Sequence, residues 1–276
     1  MSEWIPGPWK ATNEEYHADR SCESSSTLEC FRKSVPLYYL IYVKGALHRP
    51  PAKQEQLLGS ALHSLILEPE TFTEEVAVAP VCDRRTTAGK AIWADFLARS
   101  TSARIILEAG QEHVLYRMAD AISRHKVARN LLAQPGHTEY SVRWTDPDTE
   151  IRLKARYDRM IHDGPMLDLK TSSDPYPLAW GKSAATYGYH RQTAIYLASR
   201  QQLFCEDYGM LHIVIGTQEP HEVVVYRIAK ADIQMGSDQV ADSLMLMESC
   251  RRSDDWSSRF AETTQDINLP GFWAKN

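Results

Sequence analysis

The spacing of apolar residues changes near residue 137, and the change divides the chain into two regimes. Upstream the spacing is helical. In "QEQLLGSALHSLILEP", Leu58, Leu62, Leu65 and Ile66 fall at i, i+4, i+7 and i+8. This predicts a helix over 54–68 with one apolar face, stopped before Pro69. Segments 88–99 and 110–132 carry the same signal. "SSSTLECFRKS" reads as a capped helix, with Ser26 as the cap and Glu29 completing a capping box. Residues 1–23, rich in Pro and Trp, read as an extended arm packed across the body, and 80–90 as a polar, basic loop.

Downstream the pattern alternates. "HTEYSVRWTDPDTEIRLKARYDRMIHDGPMLDLKT" predicts three antiparallel strands joined by turns at "DPDT" and "HDGP". Helices follow over 177–186 and 188–207, then strands at "LHIVIGT" and "EVVVYRIA", then a closing helix over 230–252. This order implies an α/β fold: a central mixed sheet containing an antiparallel meander, flanked by helices, with a helical N-terminal part. No linker divides the chain. It reads as a single domain over 1–276, with a mainly helical part at 1–135, a sheet core and flanking helices at 136–252, and a tail at 253–276.

Composition narrows the chemistry. The 31 Lys and Arg stand against 36 Asp and Glu, a net charge of −5, so no global basic field marks a polyanion partner and any such surface must be local. Five scattered cysteines without a C-x-x-C pair exclude a zinc knuckle and an iron–sulfur cluster. They fit a reduced, cytoplasmic compartment. The N-terminus lacks the pattern of a signal peptide, and no apolar run reaches the roughly 20 residues needed to span a bilayer, so no membrane partner is expected.

Two short stretches then stand out. In 151–158, Ile151, Leu153, Ala155 and Tyr157 face one way, while Arg152, Lys154, Arg156 and Asp158 face the other. In "MLDLKTSSDP", Asp168 and Lys170 share a face, with Leu167 and Leu169 turned to the core. For Asp158 to join them, opposed residue numbers across the hairpin must sum to an even value. A two-residue turn at Asp163–Gly164 gives an odd sum, so a three-residue turn or a bulge is expected, with Gly164 at positive φ. Two converging carboxylates repel unless a cation lies between them. Mg²⁺, with Mn²⁺ as substitute, suits such a site, and the Leu169 carbonyl adds an oxygen donor. Lys170 is placed to orient or deprotonate an attacking water and to offset charge on a phosphate. Arg152, Lys154 and Arg156 are candidates for phosphate contacts on the same face. Arg84, Arg85 and Lys90 are weaker ones, because "DRRTTAGK" lacks the spacing of a phosphate-binding loop.

"YHADRSCESSSTLECF", "GSALHSLILEPE", "TEYSVRWTDPDTEIRLKARYD", "MLDLKTSSD" and "YGYHRQTAIYL", in that order, resemble the PD-(D/E)xK nuclease superfamily, and within it the exonuclease VIII-like branch of phages and prophages. The resemblance implies a restriction-endonuclease-like core, with Asp158 and Asp168 as metal ligands and Lys170 as catalytic lysine. It places the family's helical histidine on His63 near the metal, its Gln-x-x-x-Tyr on Gln192 and Tyr196, and an acidic position on Glu139. Tyr189 lies on nearly the same helical face as Gln192 and Tyr196, which would line the cleft and touch DNA. Tyr157 departs from the family pattern, which has a proline there.

The resemblance implies a Mg²⁺-dependent exonuclease acting on linear double-stranded DNA, 5′→3′, in single-strand annealing recombination. A ring-shaped homo-oligomer, trimer or tetramer, and a single-strand annealing protein as partner go with it. Two alternatives stay open: an endonuclease or a repair or defence nuclease of the same fold, and a non-catalytic DNA-binding module.

Overall fold

The computed structural model describes residues 4–101, 105–258, 260, 264, 266 and 267. Residues 1–3 of the expected arm and most of the expected 253–276 tail lie outside them. Among the described residues there are eight strands: β1 (Gly7–Pro8), β2 (Val76–Val78), β3 (Ile105–Leu107), β4 (Gly136–Thr145), β5 (Arg152–Ile161), β6 (Met166–Ser172), β7 (Met210–Gly216) and β8 (Val223–Tyr226). The first helices are α1 (Asn13–Ala18), α2 (Ser25–Lys33), α3 (Val35–Tyr38), which runs on into a π-turn at Tyr39–Val43, α4 (Gln54–Leu67) and α5 (Phe72–Glu75). After them come α6 (Thr87–Arg99), α7 (Gln111–Arg124), α8 (Lys126–Leu132), α9 (Pro177–Tyr187), α10 (Tyr189–Phe204) and α11 (Lys230–Ser253).

The main sheet has six strands in the order β1-β4-β5-β6-β7-β8. Only β6 and β7 run parallel within it, joined across α9 and α10, while β4, β5 and β6 form the expected meander. A small parallel pair, β2 and β3, stands apart. The sheet is a middle layer. One apolar core joins Trp144, Leu153, Ala155 and Tyr157 of the meander to α2, α3, α10 and α11; a second joins Leu167, Leu169, Ile213 and Ile215 to α4 and α7. Among the described residues, no helix is long and apolar enough to cross a membrane.

Four local expectations are corrected. The cap of α2 is Ser24, not Ser26: Thr27 N donates to Ser24 Oγ, and Thr27 Oγ1 accepts from Ser24 N at 2.7 Å. Glu29 is thereby free to bind Arg191, with Oε2 2.8 Å from Nη2. The 110–132 helix breaks at His125, whose extended backbone and Nδ1, accepting from Ala128 N, start α8 afresh. The N-terminal arm is not wholly extended, because Thr12 and Glu15 form a capping box that starts α1. The basic loop ends at Thr86, which caps α6, while Arg85 pairs with Asp83 and the Arg84 guanidinium lies 3.7 Å over the Trp93 ring.

The β5–β6 hairpin has the even register that alternation demands: Arg159 opposes Leu167 and Met160 opposes Met166. Its turn spans three residues, His162, Asp163 and Gly164, closed by Ile161 N donating to Pro165 O. Positive φ falls on Asp163, at 50°, rather than on Gly164. Asp tolerates the left-handed region, and Gly164 serves a different need. A Cβ there would sit 2.7 Å from Ile161 Cγ2.

Candidate active site

Strands β5 and β6 pair only near their turn, and beyond Arg159 and Leu167 they part. The fork strands the outward main-chain groups of Leu169, which a buried position cannot leave unpaired. Side chains take over: Leu169 N donates to Asp158 Oδ2 at 2.7 Å, and the Leu169 carbonyl accepts from His63 Nε2 at 2.6 Å. His63 comes from α4, which can lie close because its Gly59 brings Thr171 Oγ1 within 3.1 Å of where a Cβ would be.

A carbonyl can only accept, so Nε2 of His63 carries a proton. Its Nδ1 faces Asp158 Oδ2, 3.5 Å away. Glu139 completes the group. It stands opposite Asp158 across β4 and β5, in a left-handed backbone at φ 48° that costs a non-glycine residue about 1–3 kcal/mol. Among the described residues, His63, Glu139 and Asp158 offer one donor atom each, all within 4.8 Å of one another. Burial pushes both carboxyl pKa values up, and charge from the neighbouring acid adds to it: Asp158 on Glu139, Asp168 on Asp158. Arg156 on Glu139, and His63 and Lys170 on Asp158, oppose that rise without cancelling it. One imidazole and two carboxylates this close fit a divalent cation.

Asp168 lies beneath the cavity floor, outside that cluster of three. Its side chain is 1% exposed, and its partners surround it: Lys170 Nζ at 2.8 Å, Gln192 Nε2 at 3.2 Å and His212 Nδ1 at 3.0 Å. His212 faces Asp168 in the β6–β7 register, and its other nitrogen accepts from the Thr193 hydroxyl at 3.1 Å. Burial works against the Asp168 carboxylate, but Lys170 and His212 outweigh it and hold its pKa well below the usual range. Burial likewise works against the Lys170 ammonium, and Asp168 and Asp158 outweigh it and raise its pKa. Lys170 is thereby held as an ammonium against Asp168, at the edge of the cavity. His212 escaped sequence reasoning because its strand, "LHIVIGT", carries no motif; the one available signal was a polar residue inside an apolar run.

The remaining candidates divide. Arg152, Lys154, Arg156 and Asp158 do share a face, but the N-terminal arm occupies much of it. Lys154 is buried, with Nζ donating to the carbonyls of Tyr16 and Asp19, both at 2.6 Å, so it is no phosphate contact. Arg156 is committed to Glu139 at 2.5 Å and to Ala11 O and Ser141 Oγ. Arg152 is exposed, stacked 4.6 Å from Trp4, near the far end of β5 from Asp158. Tyr196 is also buried, and its hydroxyl donates to the Arg156 carbonyl, which makes it a brace for β5 rather than a DNA contact. Gln192 is spent on Asp168 rather than on a phosphate or base. Tyr189 stays half-exposed, with Lys170 Nζ 5.1 Å above its ring. Tyr157, where the family pattern has proline, is buried with its hydroxyl on Ser199. The cavity above these groups measures about 460 Å³ and is lined by His63, Glu139, Arg156, Asp158, Leu169 and Lys170, among others.

A comparison with curated proteins gives no match. Among solved structures, a provisionally named exonuclease from Eubacterium rectale matches with a TM-score of 0.64 at 15% identity, covering 95% of this chain and 96% of that one. At that identity the likeness shows the fold. A second structure, SSO0001, is 18% identical over 73% of this chain and 89% of that one, but its TM-score of 0.28 carries no argument. The family model described as "PDDEXK-like domain of unknown function (DUF3799)" matches residues 24–268, which spans both the fork and the helices that build it. The chain therefore belongs to this PDDEXK-like domain family.

Proposed function

We propose that the chain is a divalent-metal-dependent deoxyribonuclease, an exonuclease that hydrolyses phosphodiester bonds of linear duplex DNA. One observation carries the reading: at the β5–β6 fork a ring nitrogen of His63 and carboxylate oxygens of Asp158 and Glu139 lie within 4.8 Å of one another, beside the Lys170 ammonium. His63, Asp158 and Glu139, with Asp168 and the Leu169 carbonyl at hand, would hold the ion, and the oxygen-rich set favours Mg²⁺, with Mn²⁺ as substitute. A bound divalent ion supplies Lewis acidity toward a phosphoryl oxygen and lowers the pKa of water.

The chain's own residues do the rest. Lys170, fixed by Asp168 and open to the cavity, stabilises negative charge growing on the scissile phosphate. Gln192 and His212 keep the Asp168 carboxylate pointed at that ammonium. Arg156 holds Glu139 in place.

The name of the Eubacterium rectale relative favours exonucleolytic action. We extend the proposal to 5′→3′ digestion in single-strand annealing recombination, by a ring-shaped homo-oligomer working with an annealing protein. Linear duplexes labelled at either end, with and without a 5′ phosphate, test it in Mg²⁺. Early release of 5′ mononucleotides is expected, and abolition of cutting in Asp168→Ala and Lys170→Ala. Cleavage of covalently closed circles would replace the exonuclease with an endonuclease, and wild-type rates in both variants would remove the site.

A further inference from the structure

A second cavity, of about 720 Å³, opens directly off the first, with Gln56, Lys170, Thr171 and Tyr189 lining both. Its chemistry differs. The first has four carboxylates, Glu68, Glu75, Glu139 and Asp158, against Arg156 and the shared Lys170, whereas the second has Lys53 and Lys170 against one carboxylate, Glu55. Hydroxyls of Thr171, Ser172, Ser173, Ser183 and Thr217 supply the rest of its polar wall. An anion leaving the acidic cavity therefore meets donors.

The second wall is aromatic. Tyr187 is 64% exposed, an unusual place for a large ring, and it ends α9 just before Gly188, whose φ of 74° turns the chain into α10. Its ring lies 5.9 Å from that of Tyr189 at an interplanar angle of 33°, so the pair offers a graded aromatic step from solvent down to Lys170. Trp180, 4% exposed, lines the same cavity and leaves its indole N–H without a hydrogen-bond partner, a buried donor in want of an acceptor.

Resting on the nuclease reading, we propose that this cavity is the track for the strand being cut and that it takes unpaired nucleotides. One base stacks on Tyr187, and the phosphates run along Lys53 and the serine hydroxyls toward Lys170. A base inside a duplex has no free face to give an aromatic ring, whereas a single strand offers one at every nucleotide. The volume suits one or two nucleotides. The track thus selects an opened end, and duplex must unpair before its strand reaches Lys170.

Fluorescence anisotropy of a labelled oligothymidylate with the full chain in EDTA tests this without cutting. Replacing Tyr187 by Ala is expected to weaken binding about 5- to 100-fold, the range of one lost base stack, while Tyr187→Phe binds like wild type. Lys53→Ala should weaken binding and flatten its salt dependence. Mn²⁺ affinity should be unchanged in all three. Wild-type binding by Tyr187→Ala, a failure of the wild-type chain to bind the oligonucleotide, or preference for a blunt duplex of equal length would overturn the track. Cleavage of linear duplex by the wild-type chain, run alongside, separates the outcomes. Cutting with Tyr187-independent binding sinks the track alone, and Tyr187-dependent binding without any cutting sinks the nuclease reading alone.

Discussion

His212 illustrates how much of this site depends on a residue that never reaches the cavity. Its Nδ1–H is one of the groups that keep a fully buried carboxylate ionised, and its Nε2 is in turn fixed by Thr193. Removing the ring leaves Asp168 short of a donor, and a buried carboxylate without its partner costs about 1–3 kcal/mol or more. His212→Ala should therefore lower the thermal midpoint and reduce the rate of duplex digestion by at least about tenfold, whereas His212→Asn, whose amide can replace the Nδ1 donor, should recover most of the rate. Calorimetric melting and initial rates check this, and equal rates in the two variants would speak against positioning. The raised carboxyl groups of Glu139 and Asp158 have their own consequence. Because they hold protons into a higher pH range than ordinary carboxyls, a cation must displace protons to bind. Mn²⁺ affinity should rise with pH through the acidic range, with proton release measurable by calorimetry in buffers of different ionisation enthalpy. A pH-independent affinity would contradict the donor assignment.

At the scale of elements, alternation served well where a strand's own sequence decides its faces. The even register of the β5–β6 hairpin follows from requiring Asp158 and Asp168 on one side, and the pairing of Met160 with Met166 meets that requirement. Turn chemistry was less legible. Both Asp163 and Gly164 can take positive φ; the left-handed residue is Asp163, and Gly164 is needed for its close approach to Ile161. Alternation also identifies a polar face without saying what covers it. Lys154 lies on that face, yet the segment that buries it comes more than a hundred residues earlier, through the carbonyls of Tyr16 and Asp19. Lys154→Ala should destabilise the fold by about 2 kcal/mol or more through two orphaned buried carbonyls, and leave DNA affinity unchanged. Denaturant unfolding and anisotropy measure the two effects, and a loss of affinity at unchanged stability would restore Lys154 to the DNA interface.

At the scale of the whole molecule, the mixed sheet with helices on both faces was readable from the order of periodicities, because each element's apolar face has one place to go. The site was readable in part. Asp158, Asp168, Lys170, His63 and Glu139 all gather at the fork, yet the division of labour among them was not visible in the sequence. Asp168 turns to Lys170 and His212, while Glu139 turns to Asp158 and His63. Such partition depends on which strands diverge and which side chains replace the lost ladder, and no local pattern encodes that. Digestion of linear duplex DNA by wild-type chain and Lys170→Ala, each with Mg²⁺ and with EDTA, bears most directly on the fork as a metal-dependent cutting site. The expected result is magnesium-dependent release of nucleotides by the wild-type chain and a loss of at least about 100-fold in the variant, the scale of one removed charge-stabilising donor. Digestion in EDTA, or equal rates with and without the Lys170 ammonium, would contradict it.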